Sequence, residues 1–311
     1  MLNNSQDPLA VINIEKTVMR KSFLITICLI FITICSIAQY KTNFRMPTVK
    51  ENKAVFDSIV NKINISPGLW RPMFHSEQIA WISPPWSSQE YIYLDFPEAI
   101  FIDEHLLYLS HVSNRFPAIF NFRLPEVEWK GNDSILTYER HLPNNISFGG
   151  EIKIKSSNTV KLKLWIENQT DDTLKNILLQ TCAYLHQIKE FDISTNDNKY
   201  IHVKDKGWMS LQKAFSIIDT LPQDGSYKIG WRRGPRISDS PVIIASSKDN
   251  LHHIAMTWYE NTFSFIGNPE HPCFHADPFF GDIAPHHTKT IAGAIIFLQG
   301  DFSSDLKQIE N

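Results

Sequence analysis

From Tyr91 to Leu298 the chain is written in short runs of β-branched and aromatic residues that never lengthen into a ten-residue helical pattern. The clearest run alternates strictly, with Val160, Leu162, Leu164 and Ile166 on one side and Lys161 and Lys163 on the other. That is the pattern of a strand with one face in a core and one toward water. Comparable runs occupy Tyr91 to Leu94, Leu106 to Val112, Ile119 to Leu124, Ile135 to Glu139, Glu151 to Lys155, Ile177 to Leu185, Tyr227 to Trp231, Val242 to Ser246, His253 to Trp258 and Thr290 to Leu298. Asn-Asp, Asn-Asn, Gly-Gly, Asp-Gly and Asn-Pro pairs between them supply the left-handed and fixed-φ positions that tight turns need. About a dozen strands without intervening helices argue against a βαβ sheet. The expected fold is all-β: a large antiparallel two-sheet sandwich or super-sandwich over 91–311, forming one domain with residues 39–90.

The preceding segment reads differently. Val49 to Asn64 places Val55, Phe56, Ile59, Val60 and Ile63 at helical offsets, which predicts a short amphipathic N-terminal helix ended by Ser66-Pro67-Gly68. Ser83-Pro84-Pro85 then predicts an irregular Pro- and Trp-rich stretch up to residue 90. Further upstream, Arg20 and Lys21 precede an apolar run from Phe23 to Ile37 and a small residue at Ala38, the three parts of a signal peptide over 19–38. The run is shorter than the roughly 20 residues that span a bilayer, so cleavage is expected rather than anchoring. Residues 1–18, ahead of Met19, read as an over-called start. Cys35 follows Ile34 rather than a small residue, which speaks against lipidation. The expectation is export to the periplasm or beyond, with no permanent membrane span after cleavage.

Charge narrows the partners. Thirty Lys and Arg against 33 Asp and Glu give a net charge of -3 with no basic tract, so nucleic acid is not an expected partner. Beyond the leader the chain keeps Cys182 and Cys273, which either pair in an oxidising compartment or sit as two buried thiols.

The densest chemical signal is histidine: six of twelve, His252, His253, His271, His275, His286 and His287, fall within 36 residues. In HPCFHADPFFGDIAPHH, the residues His271, His275, Asp277 and His286 offer imidazole and carboxylate donors for a divalent metal. His275 and Asp277 are also candidates for proton transfer. Pro272, Pro278 and Pro285 predict a rigid loop, and the alternative is that its histidines cap turns or pack on Phe274, Phe279 and Phe280. Two further groups stand out. Alternation puts Leu178, Gln180, Cys182, Tyr184 and His186 on one strand face, opposite Ile177, Leu179, Ala183 and Leu185. Trp231, Arg232 and Arg233 follow a strand at a Gly-Pro turn, and Trp70, Trp81 and Trp86 lie in the irregular segment, where aromatic faces suit sugars as well as packing. The expected substrate contacts are therefore Trp231, Arg232, Arg233, His186, Tyr184 and His271. Asp95, Glu98, Asp103 and Glu104 surround Phe96-Pro97, either as a solvated loop or as an acid-base pair; Glu98, flanked by apolar residues, is the third catalytic candidate. No G-x-S-x-G, P-loop, H-E-x-x-H or dinucleotide fingerprint is present.

The stretch VKLKLWIENQTDDTLKNI, residues 160–177, pairs two strands through an Asn-x-Thr-Asp turn. It resembles a signature of exported β-sandwich proteins of the galactose mutarotase-like, carbohydrate-active class. The resemblance implies a curved sheet whose groove binds sugars; mutarotases use a Glu base and a His acid there, and neither is matched to a position of this chain. The resulting expectation is an exported protein that binds or processes a carbohydrate, or another small molecule, in a groove lined by the His271–His287 loop. A metal-dependent periplasmic enzyme on a non-sugar substrate and a non-catalytic surface or assembly module are the alternatives.

Overall fold

A computed structural model describes residues 62–68, 78–103, 105–110, 124 and 127–300. The leader, most of the expected helix, Trp70, Glu104 and the 119–123 run lie outside the described residues. Among those described, the chain is mostly β. The strands are β1 (Asn64–Gly68), β2 (Ile79–Ser83), β3 (Ile92–Ile102), β4 (His105–Leu109), β5 (Lys130–Asn132), β6 (Ile135–His141), β7 (Ile146–Ile154), β8 (Thr159–Asn168) and β9 (Leu174–Tyr184). After them come β10 (Lys199–Val203), β11 (Gly207–Ser210), β12 (Tyr227–Ile229), β13 (Arg236–Ser246), β14 (His252–Thr257), β15 (Thr262–Gly267), β16 (Cys273–Ile283) and β17 (His287–Gln299). One short helix, α1 (Leu211–Ser216), starts at Ser210, whose side chain accepts from the Lys213 N–H. No helix among the described residues is long and apolar enough to cross a membrane.

Two runs of strands share the core. One is β5-β6-β7-β8-β17-β14-β13-β10-β11, and the other is β12-β15-β16-β9-β3-β2-β1, with β4 on the far half of β3. The expected pair of separate antiparallel sheets is instead one hydrogen-bonded network. β12 pairs antiparallel with β13 and parallel with β15, so it joins the two runs and makes the sheet mixed. Alternation sets the faces: Val160, Leu162, Leu164 and Ile166 of β8 are at most 1% exposed, as are Ile177, Leu179 and Ala183 of β9. Phe96 of β3 stacks on Trp258 at 6.1 Å, and the Trp258 indole N–H donates to the Ala276 carbonyl at 2.9 Å. Each such aromatic contributes about 1.5–3 kcal/mol through burial.

Several expectations fail for local reasons. Ser66-Pro67-Gly68 pairs within β1, and Trp81 sits on β2, because their partners across β1–β2 run from Asn64–Ser83 to Gly68–Ile79. Asp95 and Glu98 belong to strand β3 rather than to a solvated loop. The largest correction is the 271–287 segment, which is strand β16, a turn and the start of β17. Pro272 and Pro285 fall outside the strand, and Pro278 sits beside the β15–β16 register shift, the kind of position at which strands tolerate proline.

Candidate functional site

One face of the β3–β9–β16 run gathers the polar groups. Cys273, His275 and Asp277 alternate away from Phe274, Ala276 and Phe280, which enter the core. Across the ladder Cys182 faces both His275 of β16 and Asp95 of β3. Between Asp95–Cys182 and Ala99–Gln180 the register shifts, so that Phe96, Pro97 and Glu98 stand against the single residue Thr181. Phe96 turns to the core, the Pro97 carbonyl accepts from the Gln78 amide, and Glu98 comes round to the polar face.

The result is a compact network. The His275 Nδ1 lies 3.7 Å from Glu98 Oε2 and 3.7 Å from Asp277 Oδ1, and has no hydrogen-bond partner. Its Nε2 lies 3.7 Å from the Cys273 Sγ. Asp277 accepts from the Thr181 backbone N–H at 3.3 Å and from the Ser264 hydroxyl at 3.1 Å. Asp95 accepts from the Ser110 hydroxyl at 2.5 Å. Burial alone would lower the His275 pKa, but Asp277, Cys273 and Glu98 together hold it well above the ordinary imidazole range. Burial pushes the Asp277 carboxyl up, against the pull of His275, Ser264 and Thr181. A hydrogen bond with Cys182 holds the Cys273 thiol well below its usual range, helped by His275 and Lys199 and opposed by burial. The same bond, with burial, pushes Cys182 up. Both cysteines are free thiols. Glu98 is less deeply buried than Asp277: its side chain is 16% exposed, whereas that of Asp277 is 0%.

At one end of this face lies an aromatic rim. Tyr184 stands 6.1 Å from Tyr93, 5.8 Å from His186 and 6.4 Å from His271, ring centre to ring centre. Tyr93 continues to Trp81 at 5.9 Å. His186 is tied to Asp192 at 2.9 Å.

At the other end opens a cleft of about 940 Å³. Leu178 of β9 and Phe279 of β16 line it, each four residues along its strand from Cys182 and His275, roughly 13 Å at the strand rise. Its walls are two aromatic pairs, Phe101 with Trp231 at 5.2 Å and Phe263 with Phe279 at 5.5 Å. The Arg232 guanidinium sits 5.2 Å from the Phe101 ring centre and donates to the Asp103 carbonyl at 2.7 Å. Asn176 donates to the Asp103 carboxylate at 2.8 Å, and Arg233 lines the same cleft.

The expected metal quartet does not assemble. His275 and Asp277 are neighbours, but His271 is exposed on the rim beside Tyr184. His286 lies past the opposite end of β16, paired with Asp171 at 3.1 Å in an exposed turn. His287 is held there by its own turn, its Nδ1 2.6 Å from the Pro285 carbonyl. A straight strand separates residues that a loop would have gathered. For the same reason the 271–287 segment lends the cleft only Phe279. Trp86 packs between Phe191, His252 and Phe297 as a plug. Cys273 has no sequence signal that marks it as part of the site: its spacing of two from His275 becomes informative only once the segment is a strand.

No family model matches the chain, and no curated protein matches it. Among solved structures it is similar to the galactose 1-epimerase from Lactobacillus acidophilus NCFM, at 10% identity over 77% of this chain and 99% of that one, with a TM-score of 0.33. It is also similar to the GalM/aldose epimerase homologue from C. elegans, at 7% identity over 72% of this chain and 92% of that one, with a TM-score of 0.36. A heparan sulfate lyase HepC mutant from Pedobacter heparinus aligns over 78% of this chain and 36% of that one, at 7% identity and a TM-score of 0.37. These likenesses concern the strand architecture, and no assignment of a residue rests on them.

Proposed function

We propose that the chain is an exported protein that binds a carbohydrate in the cleft between the Phe101–Trp231 and Phe263–Phe279 pairs. The observation that supports this reading is the composition of that cleft: two aromatic pairs line about 940 Å³, with a guanidinium, an amide and a carboxylate among them. Sugar rings present apolar C–H faces that stack on aromatics, while their hydroxyls take hydrogen bonds from fixed polar groups. Export rests on Arg20, Lys21 and the apolar run to Ile37.

Glu98, His275 and Asp277 do not line this cleft, and no proton-transfer role at a sugar bound there falls to them. Calorimetric titration of the mature protein with a panel of neutral and acidic mono- and oligosaccharides tests the reading. The expected result is binding that Trp231→Ala weakens about tenfold, with an unchanged melting temperature. No binding across the panel, or binding indifferent to Trp231, refutes it.

A further inference from the structure

Among the described residues, the ligand atoms of Cys182, Cys273 and His275 all lie within 4.8 Å of one another on the face shared by β9 and β16. Their positions follow from register: Cys182 is directly opposite His275, and Cys273 is directly opposite Tyr184, so the two cysteines are diagonal neighbours. Diagonal neighbours on adjacent antiparallel strands stand about 7–8 Å apart, at or beyond the roughly 4.4–6.8 Å between Cα atoms that a disulfide tolerates. A metal ion asks for a wider spacing than an S–S bond. With metal–sulfur bonds near 2.3 Å and metal–nitrogen bonds near 2.0–2.1 Å, the donors of a tetrahedral site stand roughly 3.5–3.8 Å apart. The Cys273 Sγ and His275 Nε2 are 3.7 Å apart.

The other side of the imidazole carries an independent observation. The His275 Nδ1 is buried without a hydrogen-bond partner and lies 3.7 Å from each of two carboxylates, Glu98 and Asp277. Metal-bound histidines donate their second ring N–H to a carboxylate, which fixes the tautomer and raises the basicity of the ligating nitrogen. Asp277 is itself anchored by Ser264 and Thr181, as such a supporting group must be. All three donors are 3–5% exposed, so the ion would be shielded from solvent competition.

From this arrangement we infer that Cys182, Cys273 and His275 form a zinc site, with Glu98 and Asp277 backing the histidine. Two thiolates and one imidazole nitrogen are the donor set that a borderline-soft ion without geometric preference accepts. A water or a ligand fills the fourth position, and each thiol gives up its proton to solvent as the ion enters. The site is separate from the cleft, so zinc affinity and sugar affinity are measured independently.

The test uses the full chain and zinc or cobalt(II) alone. One zinc bound per chain, a thiolate-to-cobalt charge-transfer band on cobalt substitution, and protection of both thiols from alkylation by zinc are expected. Cys182→Ser and Cys273→Ser each abolish the band, while Asp277→Asn weakens zinc binding about 10–100-fold, as loss of a supporting carboxylate does. His286→Ala leaves all of this unchanged. Should the cysteine variants fail to fold, the cobalt spectrum and zinc protection of the unaltered protein decide. A protein whose thiols are alkylated equally with and without zinc, one whose two cysteines form a disulfide that zinc does not prevent, or one that loses zinc with His286→Ala overturns the inference.

Discussion

The two ends of β16 carry similar side chains to opposite fates. At its start Cys273, His275 and Asp277 are buried among carboxylates and a second thiol. At its far end Asp282, and past it His286 and His287, are exposed, and the contact of His286 is with Asp171, a carboxylate almost fully in water. An imidazole-carboxylate pair in water is worth little, because solvent competes for both partners. The same pair in a dry strand interface must be satisfied or it costs several kcal/mol. Histidine density in a sequence therefore does not distinguish a site from a turn; depth does.

The comparison can be broken first at the buried end. Asp277→Ala leaves the Ser264 hydroxyl and Thr181 N–H without their acceptor and removes a charge facing His275. A loss of about 3–5 kcal/mol is expected, readable as a fall of several degrees or more in melting temperature. A change below about 1 kcal/mol would show that the buried network is not a stabilising unit. The exposed end has its own anchor, and it is not a histidine. The Asn168 side chain donates to the Ile283, Ala284 and Asp172 carbonyls and accepts from Thr170, tying the β8–β9 turn to the end of β16. Asn168→Ala should cost about 1–3 kcal/mol, measured by denaturant unfolding; a silent substitution would mean water replaces those bonds without loss. Midway along the strand, Phe279→Ala removes one wall of the cleft. It should weaken sugar binding by about 0.5–1.5 kcal/mol in calorimetry, and an unchanged affinity would move the sugar elsewhere. The smallest effect is expected at His286→Ala, within about 0.5 kcal/mol in stability. A larger loss would erase the contrast between the two ends.

What was legible along the chain follows the range of the physics involved. The alternation in Val160–Ile166 became β8, and the division of Ile177–Leu185 into a core face and a polar face is the one observed. Glu98 stands out in the sequence by its apolar neighbours; that it lies beside His275 is visible only in the structure. Strand β16 was hidden because three prolines read as a loop, and a proline at a register shift looks the same in sequence as one that breaks a strand. The β3 bulge that turns Glu98 onto the polar face has no mark of its own beyond Phe96-Pro97.

Side-chain period along one strand is a local property of the backbone, so the residue order alone determined which faces were dry and that the described chain would be built of strands. Which strands meet, and in what register, is a sum over contacts between distant segments. Only the tertiary structure could therefore set Cys182 against His275 across ninety-odd residues, send His286 to the far end of the same strand, and join the expected two sheets through β12.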